Sequence, residues 1–318
     1  MSVRILVGDC RQRLVELPDC SVHTCVTSPP YFGLRDYGHD GQMGLEPTPD
    51  EFVAGMVEVF REVWRVLRDD GTLWLNLGDS YAGSWGARGR GEGTNASRPD
   101  LESKHGTDAP ARNGFRGIKP KDLIGVPWAV AFALRADGWF LRRDVIWNKP
   151  NAMPENVNDR PTAAHEYLFL LSKSRRYYYD NEAVKEDAVS DHPSGNGFKR
   201  EARLTYQNSF GEGWGNSMQW QPTDKRNLRD VWTIPVRPFN EAHFATYPPE
   251  LIEPCILAGC PEGGTVLDPF GGAGTTGLVA DRLGRNAVLV ELNPEYAEIA
   301  RKRLSGDGGM FADVKVAA

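Results

Sequence analysis

Short apolar runs alternate with segments of helical periodicity along most of the chain. Thr48 precedes a proline and stands three residues before Glu51, a spacing typical of a capped helix start. Large apolar residues then recur every three or four positions up to Leu67, and Gly71 is placed to end this helix. Similar patterns predict strands at 3–7, 22–27, 72–77, 140–147, 166–172, 265–268 and 287–291, and further helices at 122–136, at 248–258, from 275 and from 294. This alternation predicts an α/β fold with a parallel sheet.

Two segments lack this periodicity. Residues 80–118 contain eight glycines, which predicts a long mobile loop or an insertion. Residues 183–239 are polar and rich in Trp, Asn and Gly, and their pattern assigns no clear elements. The chain is therefore expected to divide into a first part at 1–182, a region at 183–239 and a last part at 240–318.

Composition and charge narrow the class of protein. The 318 residues are 40% hydrophobic and 25% charged, and the net charge of −6 argues against a polybasic protein that binds its partner by charge alone. The longest apolar run, around 126–134, is too short for a membrane span, and the N-terminus lacks the pattern of a secretory signal. Five cysteines without a C-x-x-C pair favour neither a disulfide framework nor a zinc site. We expect a cytoplasmic protein without a bound metal or a membrane partner.

A glycine-rich turn at 268–277 is the first candidate site. A strand ends in Asp268, the glycine turn follows, and a helix begins, so backbone and free N–H groups can approach a ligand closely. Glu291 ends the next strand, where a carboxylate can hold a ribose diol. The spacing of Gly272, Gly274 and Gly277 also fits a nicotinamide or flavin dehydrogenase, although only 27 residues follow Glu291 and such folds need further strands downstream. A tight turn without a ligand is the remaining alternative.

The second candidate site is the tetrapeptide Ser28-Pro29-Pro30-Tyr31, which follows a predicted strand. The two prolines fix φ and force the chain to leave the sheet as a rigid, extended segment. Ser28 Oγ and the Pro29 carbonyl then offer two acceptors beside an aromatic ring. This combination suits a planar heterocycle with an exocyclic amine, whereas a tetrapeptide of this kind taken alone is more often an ordinary loop.

The two motifs, in this order, resemble the β class of DNA amino-methyltransferases. In that class the catalytic tetrapeptide lies N-terminal to the cofactor motif, with a variable segment between them. The resemblance covers most of the chain apart from 80–118 and 183–239. It implies S-adenosylmethionine as the cofactor and a circularly permuted doubly wound sheet. It also implies one catalytic domain formed by 1–182 and 240–318, of which the second part holds the cofactor-binding half.

The resemblance carries roles over to individual residues. The tetrapeptide corresponds to the catalytic motif, and Glu291 corresponds to the ribose-binding acid. Asp9, followed by Cys10, stands where the family has the acid that contacts adenine, and His243 and Thr246 lie in the segment that closes over the methionine end. The expected cofactor-binding residues are Asp9, Cys10, His243, Thr246, Asp268, Pro269, Phe270, Gly272, Gly274, Thr275 and Glu291.

The expected reaction is methyl transfer to an exocyclic amine of a base that has been flipped out of duplex DNA. Two acceptors that take both amine hydrogens favour a pyramidal nitrogen, and Tyr31 can stack on the extruded ring. Because Ser28 is a neutral hydroxyl that can both accept and donate, cytosine N4 is the favoured target, with adenine N6 as the alternative. A nicotinamide-dependent oxidoreductase and a DNA-binding protein with a vestigial cofactor fold remain as rivals from other classes.

The resemblance places the target-recognition region at 183–239. Duplex DNA is the expected partner, and a homodimer and a cognate restriction endonuclease are left open in a bacterial or phage-encoded enzyme. Basic side chains at strand ends can contact phosphates, although ordinary solvated charges explain them equally well. The candidate DNA-binding residues are Arg142, Arg143, Lys149, Arg200, Arg203, Lys225 and Arg226.

Overall fold

A nine-stranded sheet forms the centre of the fold. The computed structural model describes residues 1–35, 38–39, 41–82, 118–119, 121–188, 225–237, 246–308 and 313–317. The strands are β1 (Ser2–Val7), β2 (Val22–Thr27), β3 (Leu67–Leu77), β4 (Phe140–Asn148), β5 (His165–Ser172), β6 (Glu186–Asp187), β7 (Lys225–Arg226), β8 (Val231–Thr233), β9 (Thr265–Asp268), β10 (Asn286–Glu291) and β11 (Asp313–Ala317). The helices are α1 (Cys10–Arg13), α2 (Pro49–Val66), α3 (Val126–Ala136), α4 (Pro249–Gly259), α5 (Thr275–Arg282) and α6 (Pro294–Gly308).

The sheet order is β11-β1-β10-β9-β2-β3-β5-β4-β8. Neighbouring strands run parallel, except that β5 is antiparallel to both β3 and β4. The sheet is therefore mostly parallel, as predicted, and β5 is the exception. The cause is the connection at 149–164, which contains no helix and returns the chain directly to the neighbouring position.

The order of the strands confirms the permuted, doubly wound arrangement. From β9 the chain continues outward to β10 and then to β11 at the edge, with the N-terminal strand β1 lying between these two, whereas β2 and β3 extend in the opposite direction. The order thus reverses between β9 and β2, and ligands of open α/β sheets bind at such a reversal, beyond the carboxyl ends of the strands. Both sequence motifs begin at these two strand ends.

Helix α2 shows how closely the apolar pattern predicts the core. Thr48 Oγ1 accepts a hydrogen bond from the Glu51 N–H at 3.2 Å, as the capping signal predicts. The apolar face of the helix is fully buried at Phe52 and Phe60. The helix ends at Val66 rather than near Gly71, because Leu67 is already extended and pairs with β2. Strand β3 therefore begins five residues earlier than its apolar run.

A second compact unit comprises Asn181–Leu228, separate from the unit formed by Met1–Asp180 and Arg229–Ala318. Within this second unit, β6 and β7 pair in antiparallel fashion, and Arg226 forms a 2.8 Å ion pair with Glu186. The segment 183–239 was predicted as one region, but 229–237 belong to the first unit, where β8 pairs with β4.

The described residues include no cluster of three or more His, Cys, Asp and Glu side chains that could hold a metal ion. All five cysteines are free thiols. In the same described part of the chain, the helices are too short or too polar to cross a membrane.

Candidate active site

The glycine turn after β9, hereafter the glycine loop (268–277), combines open space with close packing. Gly272 and Gly274 have φ of 49° and 78°, a region that favours glycine. A Cβ added at Gly272 would meet only Phe270 O, at 3.9 Å, so this part of the backbone faces open space. A Cβ at Gly274 would lie 2.9 Å from the Cβ of Ala300 in α6, and one at Gly277 would lie 3.0 Å from a side chain of β10. One glycine is therefore open to a ligand, and two allow close packing.

Glu291, at the end of β10, lies against the open glycine. Its Oε2 accepts from the Gly272 N–H at 2.8 Å, and its Oε1 accepts from the Asn293 N–H at 2.9 Å. Burial raises the pKa of Glu291, and the two backbone hydrogen bonds offset only part of this effect. The arrangement places a hydrogen-bond acceptor beside exposed backbone, as a ligand with a hydroxyl pair requires.

Asp268 joins the two strands on which the motifs begin. Its carboxylate is 2% exposed and accepts from Thr27 Oγ1 and Thr276 Oγ1 at 2.6 Å each, from Tyr247 OH at 3.0 Å and from the Phe270 N–H at 3.0 Å. Burial raises its pKa despite these four donors. Since Thr27 directly precedes the tetrapeptide, this buried carboxylate ties the tetrapeptide to the glycine loop.

The end of β1 lies next to the end of β10, because the Gly8 N–H donates to Glu291 O at 2.9 Å. Asp9 therefore lies near the glycine loop, where it caps α1 through a 2.9 Å bond from the Arg11 N–H. Burial alone would raise the pKa of Asp9, but hydrogen bonds from the side chain and backbone of Arg11 lower it overall. The Cys10 side chain packs in the core, where burial raises the pKa of its thiol to about 12.

The tetrapeptide leaves the sheet after β2, and its side chains enter a polar network. Ser28 Oγ donates to Tyr31 OH at 3.4 Å. The Tyr31 hydroxyl in turn lies 2.6 Å from Glu166 Oε2 and 3.1 Å from Asn76 Oδ1. A Cβ added at Gly78 would lie 2.6 Å from the Tyr31 ring, so glycine at this position allows the ring to pack there.

Sequence reasoning missed Glu166 and Asn76. Asn76 interrupts the apolar run of β3 and is 2% exposed, and a buried polar side chain in an apolar strand signals a specific partner. Glu166 gives a weaker signal, because it stands at the start of β5, where a charge is ordinary. Lys149, one of the candidate phosphate contacts, pairs with Glu166 Oε1 and lies over the Trp147 ring.

The structure separates the other basic candidates. Arg142 and Arg143 lie near the amino end of β4, about 20 Å along the strand from Lys149 at its carboxyl end. There Arg142 contacts Tyr177 and Arg143 pairs with Asp230, so the fold does not bring them to the tetrapeptide. Lys225 and Arg226 form β7 in the second unit.

Three further candidates, Arg200, Arg203 and His243, lie outside the described residues. Thr246 is described and partly buried, three residues before α4. Within the glycine loop, Pro269 follows β9 directly, Phe270 packs against the core, and Thr275 is buried at the start of α5.

Comparison with known proteins agrees with this geometry. The family model for DNA methylases of the N6 and N4 type matches residues 22–302. Type II methyltransferase M.Cfr9I of Citrobacter freundii is 48% identical over 301 residues, 94% of this chain and 87% of that protein. Type II methyltransferase M.SmaI of Serratia marcescens is 46% identical over 304 residues, with 95% and 91% covered.

Solved structures share the fold. A DNA modification methylase of Thermus thermophilus, TTHA0409, solved with S-adenosylmethionine, has a TM-score of 0.59 at 24% identity and 99% coverage of both chains. The PvuII DNA methyltransferase, described as cytosine-N4-specific, has a TM-score of 0.62 at 20% identity, with 95% of this chain and 86% of that chain covered.

The fold and its site thus define a class of S-adenosylmethionine-dependent methyltransferases. Within that class, the chain belongs to the N6 and N4 DNA methylase family. Its cofactor is S-adenosylmethionine, as predicted, and the oxidoreductase and the DNA-binding protein without activity are set aside.

Proposed function

We propose that the protein methylates the exocyclic N4 amine of cytosine in duplex DNA. The observation that carries this proposal is the position of Ser28, a neutral hydroxyl at the end of β2, beside the cofactor strand β9. The family acts on both N4 and N6 amines, so the residue that meets the amine must supply the distinction.

The tetrapeptide supplies the acceptors that this chemistry needs. An exocyclic amine is a poor nucleophile because its lone pair is delocalised into the ring. Ser28 Oγ and the Pro29 carbonyl accept its two hydrogens, which favours a pyramidal nitrogen with a directed lone pair. Pro30 keeps this segment extended, and the Tyr31 ring stacks on the base, which has to leave the duplex to reach the pocket.

The cofactor is assigned to the glycine loop. Open space at Gly272 and the adjacent Glu291 carboxylate fit a nucleoside with a ribose diol. Asp9, at the neighbouring strand end, is assigned to the adenine ring, and the segment with His243 and Thr246 to the methionine end. When bound, S-adenosylmethionine supplies an electrophilic methyl group on its sulfonium.

Cytosine is favoured over adenine by the chemistry of the first tetrapeptide residue. An ionised aspartate can only accept, and in the resembling family it accompanies mostly adenine. A serine hydroxyl is neutral, so it can accept from the amine of cytosine while its own hydrogen is donated to another acceptor. The contact from Ser28 to Tyr31 provides such an onward acceptor.

The second compact unit, Asn181–Leu228, is proposed to hold most of the target-recognition region, including Lys225 and Arg226. Exchanging it for the matching segment of a relative with another specificity should move methylation to the relative's site. An active chimera that keeps the original site would refute this assignment. Because the relatives named above are Type II methyltransferases, a cognate restriction endonuclease is the proposed biological partner.

Methylome sequencing of DNA from cells that express the protein tests the function as a whole, since it reports the base, its position and the recognition site together. The expected result is N4-methylcytosine at one defined sequence. Cells that express the Ser28→Ala variant should lack this mark. A mark on adenine, or on cytosine C5, would overturn the proposal.

A further inference from the structure

A continuous chain of hydrogen bonds runs from Ser28 through Tyr31 to an ion pair at the ends of β4 and β5. We propose that Glu166, held by Lys149, fixes which group donates and which accepts in these hydrogen bonds. As a result, Ser28 presents lone pairs rather than its hydrogen to the target amine. Glu166 is then a positioning residue that acts through Tyr31. This inference rests on the proposed role of Ser28 as an acceptor.

The series of hydrogen bonds begins at the ion pair of Glu166 and Lys149. Glu166 Oε1 accepts from Lys149 Nζ, and the side chains of the two residues are only 16% and 17% exposed. A pair so shielded is screened little by salt or water. A carboxylate in an ion pair can only accept hydrogen bonds. The Tyr31 hydroxyl, 2.6 Å from Glu166 Oε2, must therefore donate to it.

Asn76 also favours a Tyr31 hydroxyl whose hydrogen points toward the sheet. Its Nδ2 donates to Tyr167 O at 3.0 Å and to Glu166 Oε2 at 3.2 Å, which fixes the orientation of the amide. Its Oδ1 then faces the Tyr31 hydroxyl as an acceptor, at 3.1 Å. Both partners of this hydroxyl on the sheet side are thus acceptors.

The orientation of the Tyr31 hydroxyl determines the orientation of the Ser28 hydroxyl. Because the hydrogen of the Tyr31 hydroxyl is directed at the sheet, its oxygen is left to accept, and Ser28 Oγ donates to it at 3.4 Å. Once the Ser28 hydrogen is used in this way, the lone pairs of Ser28 Oγ are available to the amine hydrogens of a bound base. A serine with the opposite orientation would direct a donor at an amine donor and would repel it.

Two variants interrupt this series of hydrogen bonds at different residues. Glu166→Gln replaces an obligate acceptor by an amide that can donate to Tyr31, which removes the fixed direction. Tyr31→Phe keeps the ring and leaves the ion pair of Glu166 and Lys149 in place, so it tests the chain even if Glu166→Gln folds poorly. Each variant should lower kcat for DNA methylation by about 10- to 100-fold, with KM for DNA and for S-adenosylmethionine within about twofold of wild type.

The double variant separates positioning from simple packing. If Glu166 acts through Tyr31, then Glu166→Gln should cost nothing further in the Tyr31→Phe background. The matched control is Glu62→Gln on α2, which removes a carboxylate from a half-exposed ion pair with Arg65 and should keep the wild-type kcat. Losses that multiply in the double variant, or full kcat in either single variant, would overturn the inference.

The Ser28→Ala variant distinguishes this inference from the proposed function. An inactive Ser28→Ala together with a fully active Glu166→Gln or Tyr31→Phe would refute the positioning role of Glu166 and leave the proposed function in place. A fully active Ser28→Ala would refute the acceptor role of Ser28, and the inference would fall with it.

Discussion

The glycine loop and the tetrapeptide lie at the ends of adjacent strands, yet they are built in different ways. The glycine loop is formed by consecutive residues, and its open part presents backbone, as at the Gly272 N–H that donates to Glu291. The tetrapeptide depends on side chains from three other strand ends, namely Asn76, Lys149 and Glu166. One region is thus largely local in sequence, and the other is assembled by the fold.

This difference follows from what each region has to do. A cofactor with a ribose and a charged tail can be held by glycine backbone and one carboxylate, which a single strand–turn–helix unit supplies. A neutral amine requires acceptors whose direction is fixed, and only additional side chains can fix it. Asp268, buried between the two strands, makes the two regions one site.

The largest effect is expected from a substitution that removes a catalytic side chain of the tetrapeptide and leaves the glycine loop intact. Ser28→Ala removes an acceptor for the amine and should lower kcat by at least about 100-fold, with calorimetric affinity for S-adenosylmethionine unchanged. Ser21→Ala, at the opposite end of β2, removes a hydroxyl that donates to Pro18 O and should remain active. Equal activity of the two variants would contradict the role of Ser28.

The next largest effect is expected from a substitution that changes the glycine loop and leaves the tetrapeptide intact. Gly272→Val places a β-branched side chain at φ of 49° and fills the open space beside Glu291, so affinity for S-adenosylmethionine should fall about 10- to 100-fold. Gly263→Val imposes similar strain at φ of 73°, but before the amino end of β9, and should bind the cofactor normally. Calorimetry that finds the same affinity in both variants would remove the cofactor assignment.

A smaller effect tests the link between the two regions. Asp268→Asn sets an amide N–H against donors that now converge on a carboxylate, and it should lower the free energy of unfolding by about 2–4 kcal/mol. Both methylation and cofactor affinity should decrease, because Asp268 holds Thr27 and the glycine loop together. Denaturant unfolding and calorimetry measure the two effects. A loss confined to one region would show that the regions are independent.

The smallest effect is a pH dependence of stability. Burial raises the pKa of Glu291 above its usual value of 4.5, so the folded state binds more protons than the unfolded state above that pH. Ionisation of Glu291 therefore lowers stability as pH rises through its folded pKa. In urea titrations from pH 4.5 upward, Glu291→Gln should lose stability less steeply than wild type.

A second carboxylate provides a control of opposite sign. The Arg301 side chain lowers the pKa of Glu298, so the ionisation of Glu298 favours the folded state as pH rises. In titrations extended below pH 4.5, where this linkage acts, Glu298→Gln should therefore change the slope in the opposite direction. If both variants changed the slope in the same direction, the burial argument for Glu291 would be refuted.

The sequence predicted the glycine loop well because its physics is local. The acid at the end of β9, the glycines and Glu291 can be recognised from spacing alone, and the structure places Glu291 against Gly272. The core of α2 was predicted equally well from its cap and its apolar period. The error at Gly71 arose because the pairing of Leu67 with Val22 depends on a strand 45 residues earlier in the chain.

The network around Tyr31 could not be predicted, because it depends on register. Glu166 reaches Tyr31 only because β5 returns antiparallel between β3 and β4, and the sequence pattern had predicted a parallel sheet. In the same way, the sequence allowed Lys149 to be a phosphate contact or a solvated charge, and its ion pair with Glu166 depends on the register that pairs Trp147 with Glu166. Antiparallel pairing beside a parallel sheet leaves little mark on a local pattern.

Nucleoside mass spectrometry tests the central claim, the target atom, most directly. Unmodified duplex DNA is incubated with the purified protein and S-adenosylmethionine, digested to nucleosides and compared with DNA treated with the Ser28→Ala variant. We predict N4-methylcytosine in the wild-type digest and its loss with the variant. N6-methyladenine without N4-methylcytosine would contradict it.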